Sequence, residues 1–501
     1  MWACVTSVGL KGMEGYRVNV EVSTYIGNDS FKIVGLPDAA VKESKERIMA
    51  ALRSLGYTFH GQKITVNLSP ADQKKMGAMF DLPMVIGVLM SLHELEVSVP
   101  KEVGFIGALS LDGAVQSVDG LLPAILAAKK LGLRRLYIPL DEQLPPLDLE
   151  GIELIYVDSL QDVIGHLSGQ WQPSAFSKIT DETGNDDLDY MDFRQVIGHE
   201  KAKHALEIAA AEEHHVLMTG PPGCGKSLLA WSFPSILPAL TKEAQLEVMS
   251  LYQLGKADHP QSKVPPFRNP HHSASGVSII GGGQYPKPGE ISLAHRGVLF
   301  LDEIGEFSKK TLDMLRQPLE NGQITISRTH ATITYPASFI LIAAMNPCPC
   351  GYAGSNIHYC TCSPKQVHFY QNKLSGPLRD RFDIHLSLGP VDFEAVERKM
   401  EEASEAVRKR VEEARLRQYN RYGKQICNSR VPYETLMKTS PLTEGQQRTL
   451  NDLLNKKGLS NRAQIKIIRL ARTISDLGGS PRITDQSIAE AIRLNSGTLK
   501  R

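Results

Sequence analysis

Residues 220–227 read GPPGCGKS, set between the apolar run HHVLMT (214–219) and the helix-forming stretch LLAWSF (228–233). A strand, a glycine-rich turn and a helix in that order decide the fold, because they predict a phosphate-binding loop in an α/β layer. Glycines at 220, 223 and 225 let the backbone wrap so that its N–H groups face phosphate oxygens, assisted by the N-terminus of the following helix. The expected cofactor-binding set is Gly220, Pro221, Pro222, Gly223, Cys224, Gly225, Lys226, Ser227 and Leu228. In it Lys226 reaches the β and γ phosphates of ATP and Ser227 ligates Mg²⁺. A chance glycine-rich turn would not carry the full pattern and both flanks.

Outward from that loop, GVLFLDE (297–303) is an apolar strand ending in two carboxylates. Asp302 is assigned to the metal and Glu303 to polarising an attacking water. A third strand, FILIAAMN (339–346), ends at Asn346, placed to orient the same water. SGPLRDRFDIH (375–385) offers Arg379 and Arg381, and an arginine there stabilises transition-state charge only on a nucleotide held by a neighbouring subunit. An arginine between two aspartates is otherwise a surface ion pair.

The chain has 501 residues, 42% of them hydrophobic and 22% charged, which supplies material for two or three globular domains. Residues 1–166 alternate β-rich runs such as YRVNVEV and QKITVNL with helical ones such as AAVKESKERIMAALRSLG, predicting an α/β domain. Residues 167–191 are polar and acidic and read as a linker. A second α/β pattern covers 192–390 and a helical one 391–501. No basic leader or long apolar run is found, so a cytoplasmic location with reduced cysteines and no membrane partner is expected. The net charge of +1 is uneven: 22 basic against 14 acidic residues from Val391 onward leave −7 elsewhere. Whole-chain charge therefore argues neither for nor against nucleic acid.

Four of seven cysteines fall in NPCPCGYAGSNIHYCTC (346–362) as Cys348-x-Cys350 and Cys360-x-Cys362. In a reducing compartment such pairs favour tetrahedral Zn²⁺ over disulfides, although two-residue gaps are the commoner knuckle and His358 is a substitute ligand. Cys224 is a permissive position inside the loop, and Cys4 and Cys427 carry no signal.

Together these stretches resemble the AAA+ ATPases, and within them the magnesium-chelatase-like branch. The resemblance lies in FRNPHHSASGVSIIGGGQYPKPGEISLAHRGVLFLDEI (267–304), NPCPCG (346–351) and LSGPLRDRFD (374–383). VGLPDAAVKESKERIMAALRSLG (34–56) is similar to the ComM/YifB family, so the likeness covers nearly the whole chain. It implies an N-terminal Lon-protease-like domain, an AAA+ core with a parallel sheet and a C-terminal helical lid. It also implies a sensor-1 role for Asn346, a trans arginine finger at Arg381 and a sensor-2 arginine at Arg462, with Arg469 and Arg472 nearby. The family's usual SGPLLDR is SGPLRDR here, which makes Arg379 a second finger candidate. Where a Lon-type protease has its Ser nucleophile and Lys base, this chain has Met79 in KKMGAMFDLP and Leu122 in VDGLLPA, so no peptidase activity is expected.

The family likeness further implies a homo-hexameric DNA motor, a helicase that drives branch migration in homologous recombination and natural transformation. QITISRTHATITYP (323–336) alternates as a β-hairpin would, offering Arg328 and His330 as sequence-independent phosphate contacts in a pore. The insertion HHSASGVSIIGGGQYPKPG adds Lys287. The alternatives are a magnesium chelatase subunit, disfavoured by the attached Lon-like domain, and a protein-remodelling ATPase, for which Tyr285 is the aromatic pore candidate.

Overall fold

The computed structural model describes residues 1–170, 190–258, 263–284, 286–328, 331–354, 358–391, 401–457 and 460–496. Most of the expected linker, Tyr285 and His330 lie outside the described residues. Two compact units emerge: Met1–Gly184 with Leu246–Gln261, and Asn185–Gln245 with Ser262–Arg501.

The first unit is built on a seven-stranded sheet. Its strands are β1 (Trp2–Lys11), β2 (Glu14–Ile26), β3 (Ser30–Val34), β4 (Gln62–Ser69), β5 (Val103–Phe105), β6 (Arg135–Pro139) and β7 (Glu153–Val157). Their spatial order is β3-β4-β2-β1-β5-β6-β7, with β2 antiparallel to both neighbours and the other pairs parallel. The alternation of YRVNVEV is borne out, since Val18, Val20 and Val22 point into the core and the residues between them do not. In the helix Ala39–Ser54 the buried positions Val41, Ser44, Ile48, Ala51 and Leu52 recur at helical spacing, and the Asp38 side chain caps the Val41 amide. Arg47 grips the buried Asp81 carboxylate at 2.6 and 3.0 Å and ties this helix to Asp81–Ser91. Removing one partner of such a pair costs about 3–5 kcal/mol, because the other charge stays buried alone. Met79 and Leu122 are both buried apolar side chains.

The second unit carries a five-stranded, wholly parallel sheet. In chain order its strands are β8 (Val216–Thr219), β9 (Phe267–Arg268), β10 (Val298–Leu301), β13 (Ile340–Met345) and β14 (Ile384–Ser387). A separate hairpin pairs β11 (Gln323–Arg328) with β12 (Ala331–Pro336). Spatially the sheet runs β9-β10-β13-β8-β14. β10 and β13 are buried along their whole length, as parallel strands covered on both faces must be. Helices Ser404–Tyr422, Asn461–Leu477 and Asp485–Ser496 form the helical region that follows. No described helix is long and apolar enough to cross a membrane.

Candidate functional site

Parallel register brings the three key strand ends to one edge. β8 lies between β13 and β14, with Thr219 opposite Met345 and Ser387, and β10 pairs Leu301 with Ala343. The segments that follow these strands therefore meet at the carboxyl edge of the sheet, where open α/β sheets place their ligands.

The turn after β8 is built on glycine. Gly223 and Gly225 take φ values of 75° and 85°, in the left-handed region that other residues avoid. The Lys226 ammonium is buried and bonds three neutral oxygens: the Gly220 and Pro221 carbonyls at 2.8 Å each and Asn346 Oδ1 at 3.1 Å. A buried cation satisfied only by dipoles is a ready partner for an anion. Ser227 Oγ donates to Asp302 Oδ2 at 2.9 Å, so the hydroxyl and carboxylate assigned to Mg²⁺ are already side by side. Glu303 is exposed and holds the left-handed conformation (φ 48°, ψ 49°), an outlier for a residue with a side chain. Lys226, Ser227, Asp302 and Asn346 are thus one connected group, with Glu303 adjoining Asp302. Leu228 is 41% exposed, and Cys224 is turned inward and buried, its Sγ 3.9 Å from the Lys226 ammonium.

His199 was not singled out from the sequence. It precedes the helix Glu200–Glu212 in a left-handed conformation, and a Cβ added at Gly225 would lie 3.3 Å from its Nε2. That nitrogen is buried with no hydrogen-bond partner among the described residues, and burial lowers the imidazole pKa. A histidine at the end of a loop gives no periodic signal; only the fold reveals its position against the phosphate loop.

The arginines divide. Arg379 donates to the Gln371 carbonyl at 2.8 Å, and burial lowers its pKa. Arg381 pairs with Glu320 at 2.9 Å while its buried Nε has no partner among the described residues. Arg462 joins the same Glu320 carboxylate at 3.3 Å and reaches Asp380 at 3.7 Å. The structure thus brings Arg462 together with Arg381, not with the Lys226 group. Arg469 donates to the Val431 carbonyl, and Arg472 is fully buried against Asp476. Arg381, Arg462, Lys466, Asp383 and His214 line a cleft of about 480 Å³. Asp383 anchors its floor: burial opposes its charge, but Lys466 and His214 outweigh that and hold it well below the usual carboxylate range.

The hairpin and the preceding insertion pack as one body. Gly282 pairs with Lys287, and Arg328 Nη2 lies 3.2 Å from where a Gly282 Cβ would stand. Tyr335 donates to the Pro286 carbonyl at 2.7 Å. Arg328 and Lys287 are both exposed.

The four clustered cysteines converge, their sulfurs all within 4.8 Å of one another. His358 instead lies tilted against Tyr352, with ring centroids 4.8 Å apart.

Comparison with known proteins agrees with this arrangement. The family described as magnesium chelatase, subunit ChlI, matches residues 192–396, and that described as subunit ChlI of Mg-chelatase matches 20–142. The ChlI C-terminal family matches 401–495. The chain is 41% identical over 489 residues to the protein YifB of Salmonella typhimurium, covering 96% of this chain and 94% of that one. It is 40% identical over 500 residues to the competence protein ComM of Haemophilus influenzae, covering 98% and 96%. A weaker likeness, 26% over 170 residues and 30% of each chain, relates it to Lon protease 2 of Bacillus subtilis. With identity of this degree along nearly its full length, the chain belongs to the ComM/YifB family of magnesium-chelatase-like proteins.

Proposed function

We propose that this protein is an ATP-hydrolysing motor that acts on DNA as a homo-hexameric ring and drives branch migration during recombination of incoming DNA. The observation that carries the reading is the hydrogen-bonded group of Lys226, Ser227, Asp302 and Asn346 at the edge of the parallel sheet. Its chemistry suits a nucleoside triphosphate with Mg²⁺: a buried ammonium held by neutral oxygens among the described residues, and a hydroxyl and carboxylate already adjacent. Ser227 and Asp302 would hold the Mg²⁺, which neutralises phosphate charge when bound. Lys226 binds the β and γ phosphates, Glu303 takes a proton from the attacking water, and Asn346 orients that water. Arg381, from a neighbouring subunit, supplies positive charge to the transferred phosphoryl group.

The DNA half of the reading rests on the name of the Haemophilus relative, a competence protein, and on the joined hairpin and insertion that expose Arg328 and Lys287. Two exposed cations on packed neighbouring segments suit backbone contact without base readout. A cytoplasmic location accords with that substrate. Met79 and Leu122, buried and apolar, leave the Lon-like unit without a nucleophile and base at those positions, so it serves in guidance and not proteolysis.

The test is ATP hydrolysis with and without a four-way DNA junction, alongside Glu303→Gln. Stimulation by the junction together with ATP-dependent junction dissociation supports the reading. Hydrolysis indifferent to every DNA form overturns the DNA half and points to the chelatase or protein-remodelling alternative.

A further inference from the structure

We propose that Cys348, Cys350, Cys360 and Cys362 bind one structural zinc ion that clamps the end of the sensor strand β13 against the phosphate loop. The sulfurs of Cys348, Cys350 and Cys360 are separated by 3.3, 3.7 and 3.6 Å. Four thiolates at the usual Zn–S length of ~2.3 Å stand about 3.8 Å apart along each edge of a tetrahedron. A disulfide would bring two of them to about 2.05 Å, and all four cysteines are free. The set is also too compact to enclose an iron–sulfur cube, since all four sulfurs lie within 4.8 Å. Soft thiolates in a closed tetrahedron select zinc over harder cations.

The surrounding backbone has the form of a metal knuckle. Gly351 donates to the Cys348 carbonyl at 3.0 Å with φ 86°, turning the chain between the first pair. The Ala353 amide then points at Cys348 Sγ at 3.2 Å, an outer contact that stabilises thiolate charge. Cys348 is fully buried and the other three partly so, as a closed site requires. The single-residue gap within the first pair is met by this turn.

Four contacts tie the knuckle into the nucleotide site. Asn346 lies two residues before Cys348 and bonds Lys226. Gly351 abuts the phosphate loop so closely that a Cβ there would stand 2.6 Å from Pro222 Cδ. The helix Pro364–Gln371, which starts just after Cys362, returns Gln371 Nε2 to the Pro347 carbonyl at 3.1 Å. Its Tyr370 ring packs so tightly on Gly305, two residues past Glu303, that a Cβ there would lie 2.7 Å from the ring. A metal fixed among the four sulfurs therefore fixes Asn346, the Pro222 face of the loop and the turn after Glu303. This coupling rests on the nucleotide reading above; the metal site does not.

The test uses the full-length protein purified under reducing conditions without chelator. Elemental analysis should find about one zinc per chain, and a thiol-directed mercurial should release it to a chromogenic chelator. Cys360→Ser/Cys362→Ser should lose the metal. Should that variant fail to fold, cobalt added to the metal-stripped wild type should give the visible absorption of four-thiolate Co²⁺. A purified protein without zinc that also fails to take up Zn²⁺ or Co²⁺ overturns the site. For the coupling, stripping zinc should slow ATP hydrolysis on the order of tenfold or more, with recovery on readdition. Equal hydrolysis with and without zinc overturns the clamp. If the zinc-loaded protein binds no nucleotide at all, the nucleotide reading fails while the metal site stands.

Discussion

The Lys226 ammonium and the Asn346 carboxamide, 120 residues apart in sequence, meet at 3.1 Å. On the proposed reading, Asn346 releases the lysine to an incoming phosphate and then holds the water. Lys226→Ala should therefore abolish binding of a fluorescent ATP analogue. Asn346→Ala should bind the analogue near normally and lose roughly 10²-fold in hydrolysis, the scale of one removed polar group acting on developing charge. Asn346→Asp separates the two roles further, because its carboxylate would pair with Lys226 and compete with phosphate for it. The aspartate variant should weaken binding where the alanine variant does not. Equal binding by both would contradict the shared use of the lysine.

Glu303, the proposed base, sits in a strained backbone conformation. Its φ of 48° costs a residue with a side chain about 1 kcal/mol, a cost glycine does not bear. Because Glu303 is exposed, its removal forfeits little packing. Glu303→Gly should thus raise stability by about 0.5 kcal/mol after the entropy cost of glycine in the unfolded chain is subtracted, while hydrolysis disappears. Glu303→Gln should keep the strain, bind ATP and not hydrolyse it. Thermal unfolding of the pair checks this, and a destabilised glycine variant would show that the side chain supports the fold.

How far the sequence alone reaches follows from these residues. The apolar strands ending at Thr219, Leu301 and Met345 were legible because a strand buried on both faces must be continuously apolar. Their alignment at one sheet edge follows from parallel pairing, so the union of Lys226, Ser227, Asp302 and Asn346 could be anticipated. His199 could not, since its place against Gly225 depends on how the helix Glu200–Glu212 packs. Nor could the sharing of Glu320 by Arg381 and Arg462, a tertiary contact across 142 residues that no local pattern encodes. Four cysteines announced a cluster, but their relation to Pro222 and Gly305 depends on close backbone approaches that only the fold displays.

Arg379 and Arg381 are separable by experiment. Arg379→Ala loses a half-buried bond to the Gln371 carbonyl and should cost stability, about 1 kcal/mol, with a matching loss of activity only near its lowered melting temperature. Arg381→Ala should leave ATP binding intact and reduce hydrolysis on the order of 10³-fold, as for an arginine finger. On the proposed reading the finger acts between subunits, so a mixture of Arg381→Ala and Glu303→Gln chains should recover activity at interfaces pairing an intact Glu303 with an intact Arg381. No recovery in a confirmed mixed assembly would assign Arg381 to its own subunit's structure.

The last prediction concerns pH. His204, on the helix Glu200–Glu212, has Glu207 beside it and Glu490 of the helix Asp485–Ser496 at 3.0 Å. Arg410 also faces Glu207 and remains charged throughout. Glu207 first and Glu490 next lift the imidazole to about 9, against about 6.5 in an unfolded chain. A raised folded pKa means that the stabilisation is fully present below about 6.5 and is lost as pH climbs through about 9. The imidazole is half exposed, so screening reduces its worth to about 1 kcal/mol. His214, held between Glu212 and Asp383 and likewise lifted to about 9 against the effect of burial, acts in the same direction. Stability from denaturant unfolding should therefore fall between pH 6.5 and 9, and His204→Ala should flatten the slope without removing it. An unchanged slope in that variant would mean that the bridge between the two helices carries no pH-dependent stability.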